Sequence, residues 1–276
     1  MTNKIPPFLL GIVMLAVIAA IMQLPLDKII TTSHFSGFQI EYLILGAKML
    51  LIFSIGLILV LKLSEKALSG ISLNYKWSFK YLNLIPCYLF LLGIVTFMGK
   101  DLSSINIFNV LLLLAACLLV GFAEEFVFRG YLQAVFLKKY IAHKNGIFLG
   151  ILFPAMFFGA SHLLNFTVND NVPQVIGQSI YAIFIGFFFG VVLLKTNKLI
   201  PLAITHGLIN FFFLFGSLPN LNGHSDSHTA PELEIALTEQ ILSSVIPLLI
   251  FLPLFLIGLV LIRNINREEI QKKINV

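Results

Sequence analysis

The chain has 276 residues, of which 58% are hydrophobic and 11% charged, against about 25% charged in soluble domains. A soluble globule of this size cannot bury that much apolar surface, and disorder or a fibrous repeat is excluded, so the composition predicts an integral membrane protein. The net charge of +5 would suggest a nucleic-acid partner unless the basic residues prove to serve the membrane.

Roughly 20 mostly apolar residues are needed to span a bilayer as a helix, and eight stretches approach that length. In chain order they are 8–26, opened by Pro6 and Pro7; 42–61, which carries Lys48; 82–98; the unusually long 107–137; 147–164; 175–194; 199–215; and 241–262. The expected fold is all-α and polytopic, a single membrane domain over 1–276 with about eight spans around a polar cavity and a motif-bearing core at about 107–216. Lys4 followed by an apolar run resembles a secretory signal, but the run is long for one and more spans follow, so an uncleaved first helix is expected. The connector 64–80 mixes apolar residues with lysines and suits an amphipathic piece at the interface. Asn222 to Ser227 reads as an external loop. Cys87 and Cys117 both lie in apolar stretches and read as small buried hydrophobes.

Sorting the 18 basic residues by connector gives the orientation, because Lys and Arg are retained on the cytoplasmic side. Fourteen of them fall in alternate connectors: Lys4; Lys62, Lys66, Lys76 and Lys80; Lys138, Lys139 and Lys144; Lys195 and Lys198; Arg263, Arg267, Lys272 and Lys273. The opposite connectors hold Lys28 and Lys100 among eight acidic residues. Both termini are therefore expected in the cytoplasm. The basic pI becomes an orientation signal, and no nucleic-acid partner is needed to explain it.

Only Lys48, Glu124, Glu125 and Arg129 fall within the spans as drawn. A charge at the bilayer centre costs about 2.5–3.5 kcal/mol on insertion scales, so such residues are functional candidates by default. Lys48 is discounted, since it can snorkel or pair with Glu41. In Ala123-Glu124-Glu125-Phe126-Val127-Phe128-Arg129-Gly130, Glu125 and Arg129 are four residues apart and share a helix face. Glu124 points about 100° away, so another helix must match its charge or its proton must be retained. The bland reading is an ion network that holds helices together.

Two further polar pairs shift the balance towards a site. His162 ends the fifth span, in Phe158-Gly159-Ala160-Ser161-His162, and His206 with Asn210 occupies one face of the seventh. Gly159, Ala160, Ser161 and Gly207 beside the histidines allow close helix approach, so Glu124, His162, His206 and Asn210 can converge in one cavity. A carboxylate and an imidazole can deprotonate a water and direct it at a carbonyl. A second imidazole with a carboxamide can stabilise the oxyanion. Glu124, His162 and His206 are also the ligand types of a catalytic zinc. Counted from the connectors, Glu124 and His206 fall in the inner half of the membrane and His162 farther out, which helix tilt or a late start of the fifth helix near Pro154 would reconcile.

At these residues the sequence resembles the CPBP family, the type II CAAX prenyl protease and bacteriocin-processing intramembrane proteases. The pattern is Glu124, Glu125 and Arg129, then Phe158 and His162, then His206 and Asn210, on separate helices. The resemblance covers roughly 120–212. It implies that Glu124 and His162 activate water, that His206 and Asn210 bind the oxyanion, and that Glu125 with Arg129 orders the site. It favours a metal-free, glutamate-dependent mechanism over a metalloprotease, and implies cleavage near the cytoplasmic side of a protein or peptide substrate, lipidated or membrane-embedded, with membrane lipid as the other partner. The competing readings are a transporter that uses the same groups as a proton relay, and a scaffold or immunity protein in which the cluster is structural.

Overall fold

The computed structural model describes residues 5–28, 35–63, 66–71, 84–98, 101–220 and 237–274. Each helix begins where the local sequence supplies a start. Pro7 opens α1 (Pro7–Met22) with its ring already set at the helical φ. Ser36 and Gln39 form a reciprocal capping box at the head of α2 (Gly37–Lys62). The Asn106 side chain caps α4 (Ile107–Glu124), and Asn171 caps α7 (Val172–Thr196), which ends on Asn197 in the left-handed conformation, φ 54°. The remaining α-helices are α3 (Leu84–Phe97), α5 (Gln133–Tyr140), α6 (Gly146–His162), α8 (Leu199–Leu214), α9 (Leu237–Leu261) and α10 (Arg267–Ile274). Among the described residues there is no β-strand, and seven helices are long and apolar enough to cross a membrane. The protein is a polytopic all-α membrane protein.

Two sequence expectations change. The third span is described from Leu84 on, as α3. The fourth runs on to Tyr140, because α4 and α5 are joined without a break by a π-helical segment, Glu125–Leu132. The fifth does not start late: α6 is already helical at Gly146 and passes through Pro154. Most of the 64–80 connector and all of 222–227 lie outside the described residues, as do the surroundings of Cys87. Cys117 is buried and free.

Apart from that of Lys28, the connectors that carry the described basic residues meet at one end of the bundle. There the Leu199 N–H donates to the Gly70 carbonyl at 2.9 Å, Arg267 donates to the Ala142 carbonyl at 2.6 Å, and α10 packs against Lys66–Leu68 with Ile270 buried. At the other end Gln39 donates to Asn109 at 2.9 Å, and Ser104 to Asn220 at 3.2 Å. Among the described residues Lys48 forms no ion pair with Glu41. Its Nζ donates to the carbonyl of Met22, the last residue of α1, at 2.6 Å, which satisfies one of the carbonyls a helix C-terminus leaves unpaired.

Two hydrophobic clusters share the interior. The larger takes in the π segment, α5 and the inner faces of α6 and α7; the smaller joins Tyr42, Leu113, Ala116, Cys117, Phe211, Phe215 and Leu218. Along α4 the boundary between them falls between Cys117 and Ala123, and along α8 between Ile209 and Phe211. Glu124, Glu125, Arg129 and His206 lie within the larger cluster, just past this boundary on α4 and before it on α8, and Asn210 falls on it.

Candidate active site

Glu124 is the last α-helical residue of α4, and Glu125 opens the π segment. All eight residues of that segment are buried, as suits a central helix enclosed on every side. π segments inside α-helices occur frequently at functional sites. Here the helix still pairs Glu125 Oε1 with Arg129 at 3.1 Å, while the guanidinium carbon sits 4.1 Å from the centre of the Phe158 ring. The arginine is thus held by an ion pair on its own helix and by a ring face from α6.

His206 of α8 is inserted between the two carboxylates. Its Nδ1 lies 2.8 Å from Glu125 Oε1 and its Nε2 lies 3.3 Å from Glu124 Oε2. The side-chain partner that Glu124 lacks on its own helix is therefore supplied by α8. Two glycines permit the approach. A Cβ on Gly207 would fall 2.7 Å from the Leu118 Cα and 2.9 Å from the Cys117 carbonyl, and one on Gly121 would collide with the Ala203 carbonyl. The imidazole also meets Phe158 and Phe189 edge-on, with ring centroids 5.8 Å apart in both cases.

His162 ends α6, where its Nδ1 lies 3.0 Å from the Phe158 carbonyl, so that nitrogen carries the proton and Nε2 remains an acceptor. Its ring stands edge-on to Phe158 at 4.8 Å. The depth mismatch expected from sequence disappears in the register of the helical hairpin. Phe128 packs on Phe158, and Gly150 abuts Leu137, so Glu124 and His162 lie equally far from the Tyr140 to Gly146 turn. Close packing of Gly159 on Ser179, whose hydroxyl donates to the Gly159 carbonyl at 2.8 Å, fixes the same end of α6 against α7.

The structure thus brings Glu124, Glu125, Arg129 and His206 into one network, with His162 across the shared Phe158 ring. Asn210 lies one turn beyond His206 on α8, half-buried. Sequence reasoning named Phe158 as part of a motif but gave it no work; its spacing of four from His162 was the available signal. Gln133, buried and donating to the Gly190 carbonyl at 2.9 Å, was missed, as was the role of Gly121. The three residues considered as zinc ligands are not gathered: both nitrogens of His206 face carboxylates, Nδ1 of His162 is taken by a carbonyl, and no group of three His, Cys, Asp or Glu side chains that could hold a metal is found among the described residues.

With this geometry in place, comparison with known proteins is informative. Residues 106–212, which run from the α4 cap to the last turns of α8 and contain every residue of the network, match the family model described as Type II CAAX prenyl endopeptidase Rce1-like. Over this segment the chain is similar to the Rce1-like family. The match supports the general class of an intramembrane CAAX-type endopeptidase with a protein or peptide substrate. Helices α1 to α3, α9 and α10 lie outside the matched segment. Neither the curated proteins nor the solved structures yield a match to the chain.

Proposed function

We propose that the protein hydrolyses a peptide bond within the membrane by a metal-free mechanism, in a catalytic core spanning about 107–216, with Glu124 and His162 activating water and His206 with Asn210 stabilising the oxyanion. The observation that carries this reading is the insertion of His206 between two adjacent carboxylates inside a transmembrane bundle, one of them locked by Arg129 and the other not. Glu125 is fully buried and paired, while the Glu124 side chain keeps 18% of its surface exposed.

The chemistry follows from that asymmetry. Glu125, neutralised by Arg129, holds Nδ1–H of His206 and so fixes the ring. One proton is shared between Nε2 of His206 and Glu124. Glu124, assisted by Nε2 of His162, takes a proton from water as the water oxygen bonds to the substrate carbonyl carbon. Once Glu124 is protonated its hold on His206 weakens, and Nε2–H becomes available to the oxyanion, with the Asn210 carboxamide as second donor. Collapse of the tetrahedral species breaks the C–N bond, and the proton on Glu124 passes to the departing amine.

We take the basic end as the cytoplasmic face, with both termini there and the scissile bond presented near that side. A lipidated peptide and a membrane-embedded segment both fit a lipid-flanked site. The reading is tested with E124Q and H162A: both variants accumulate in the membrane at wild-type levels, and both lose cleavage of the cell's substrate. Retention of full cleavage by both would exclude the assignment.

A further inference from the structure

Hydrolysis consumes one water for each bond cut, and the site lies in a bundle with few polar residues. Between Glu124 and the basic end the π segment is buried throughout, and Phe136, Phe187, Phe189, Leu132 and Leu137 are almost completely enclosed. No polar side chain of α7 lies between Tyr181 and Lys195.

The other end of α7 differs. Gln174, Gln178 and Tyr181 are spaced at i, i+4 and i+7 and share one face. Val172, Ile176 and Ile180, all exposed, form the opposite face and meet lipid. The polar face is lined on its far side by the segment that follows α6. Asn165 donates to Gln178 at 2.8 Å, and Asn169 to Gln174 at 3.3 Å. The contacts of Gly159 with Ser179 and of Ile151 with Gly190 set a register that places Gln178 and Tyr181 within about a turn of His162. The Tyr181 ring stacks on Phe251 of α9 at 5.2 Å. At the inner end of this line are buried polar atoms whose hydrogen bonding is incomplete. Glu125 Oε2 and Arg129 Nη2 have no hydrogen bond among the described residues, and Arg129 Nη1 has only its ion pair with Glu125 Oε1, although both side chains are at most 1% exposed. Buried polar groups of this kind are ordinarily satisfied by ordered water.

We propose that Gln174, Gln178 and Tyr181 of α7, with Asn165 and Asn169, form a polar track that carries water from the non-basic face to Glu124 and His162. The inference rests on the proposed hydrolysis for its purpose and on geometry alone for its existence. It separates the two reactants: the peptide is presented near the basic face, and water arrives from the opposite one. Tyr181 is the innermost member, the last polar group before the site.

The test is cysteine accessibility in sealed vesicles of known orientation, using full-length protein with Cys87 and Cys117 replaced by alanine. The probe is the membrane-impermeant reagent 2-(trimethylammonium)ethyl methanethiosulfonate. Q178C and Y181C react from the non-basic side at least tenfold faster than I176C and I180C, and faster than from the basic side. Equal rates at Gln178 and Ile180, or reaction from the basic side alone, would overturn the proposal. Should Y181C fail to accumulate, Q178C decides. The measurement requires no proteolysis, so E124Q can carry the same cysteines: unchanged labelling alongside persistent cleavage would refute the protease reading and leave the track standing.

Discussion

Two places in this bundle hold ionised side chains inside the membrane, and they are resolved differently. Lys48 on α2 donates to the Met22 carbonyl at the end of α1, and the contact joins two helices whose other shared surface is small. In the larger hydrophobic cluster, Glu124, Glu125, Arg129 and His206 form a network that is buried and ion-paired at Glu125 and partly exposed at Glu124. An intramembrane charge that finds a backbone partner at a helix end is architecture. One that sits beside a completed ion pair, partly exposed and shared with a histidine from another helix, is reactive. The contrast predicts which substitutions act on stability and which on chemistry.

The largest effect is expected at His162, which bridges no helices by ion pair. H162A should lower the cleavage rate by about 10²–10⁴-fold, the usual contribution of a general acid–base group, while the thermal midpoint in detergent stays near wild type. Next is Arg129. R129A leaves Glu125 charged and buried without its partner, a loss of about 3–5 kcal/mol, so both the midpoint and accumulation should fall, and activity with them. G207V drives a side chain into the α4 backbone and should cost about 3 kcal/mol; by separating α8 from α4 it should also lower activity per folded molecule, which distinguishes it from a purely destabilising change. The smallest effect belongs to Lys48. K48M should cost about 1 kcal/mol, the net worth of one hydrogen bond, with unchanged turnover. A large loss of turnover in K48M would erase the distinction between the two regions.

Much of this was legible in the sequence because it depends on local spacing. The spans, the grouping of basic connectors, the Glu125 and Arg129 pair and the small residues beside the histidines all follow from intervals of three, four or about twenty residues. The π segment was not legible, since in a run as apolar as 107–137 a local change in helical pitch leaves no mark in the hydrophobic pattern. Which histidine reaches Glu124 was hidden for another reason. The family resemblance pairs Glu124 with His162, but contact across helices is set by crossing geometry, and it is the Gly121 and Gly207 approach that puts His206 at 3.3 Å. The depth of His162 was misjudged because span ends were counted separately, whereas α5 and α6 form a hairpin whose register is fixed by Phe128 on Phe158.

The most direct test of the central claim is a comparison of protein termini in membranes from cells that carry the wild-type protein and cells that carry E124Q at matched abundance. The account predicts that at least one new terminus generated in the wild type disappears in E124Q and that its uncut precursor accumulates. Identical sets of termini, with the variant stably present in the membrane, would contradict it.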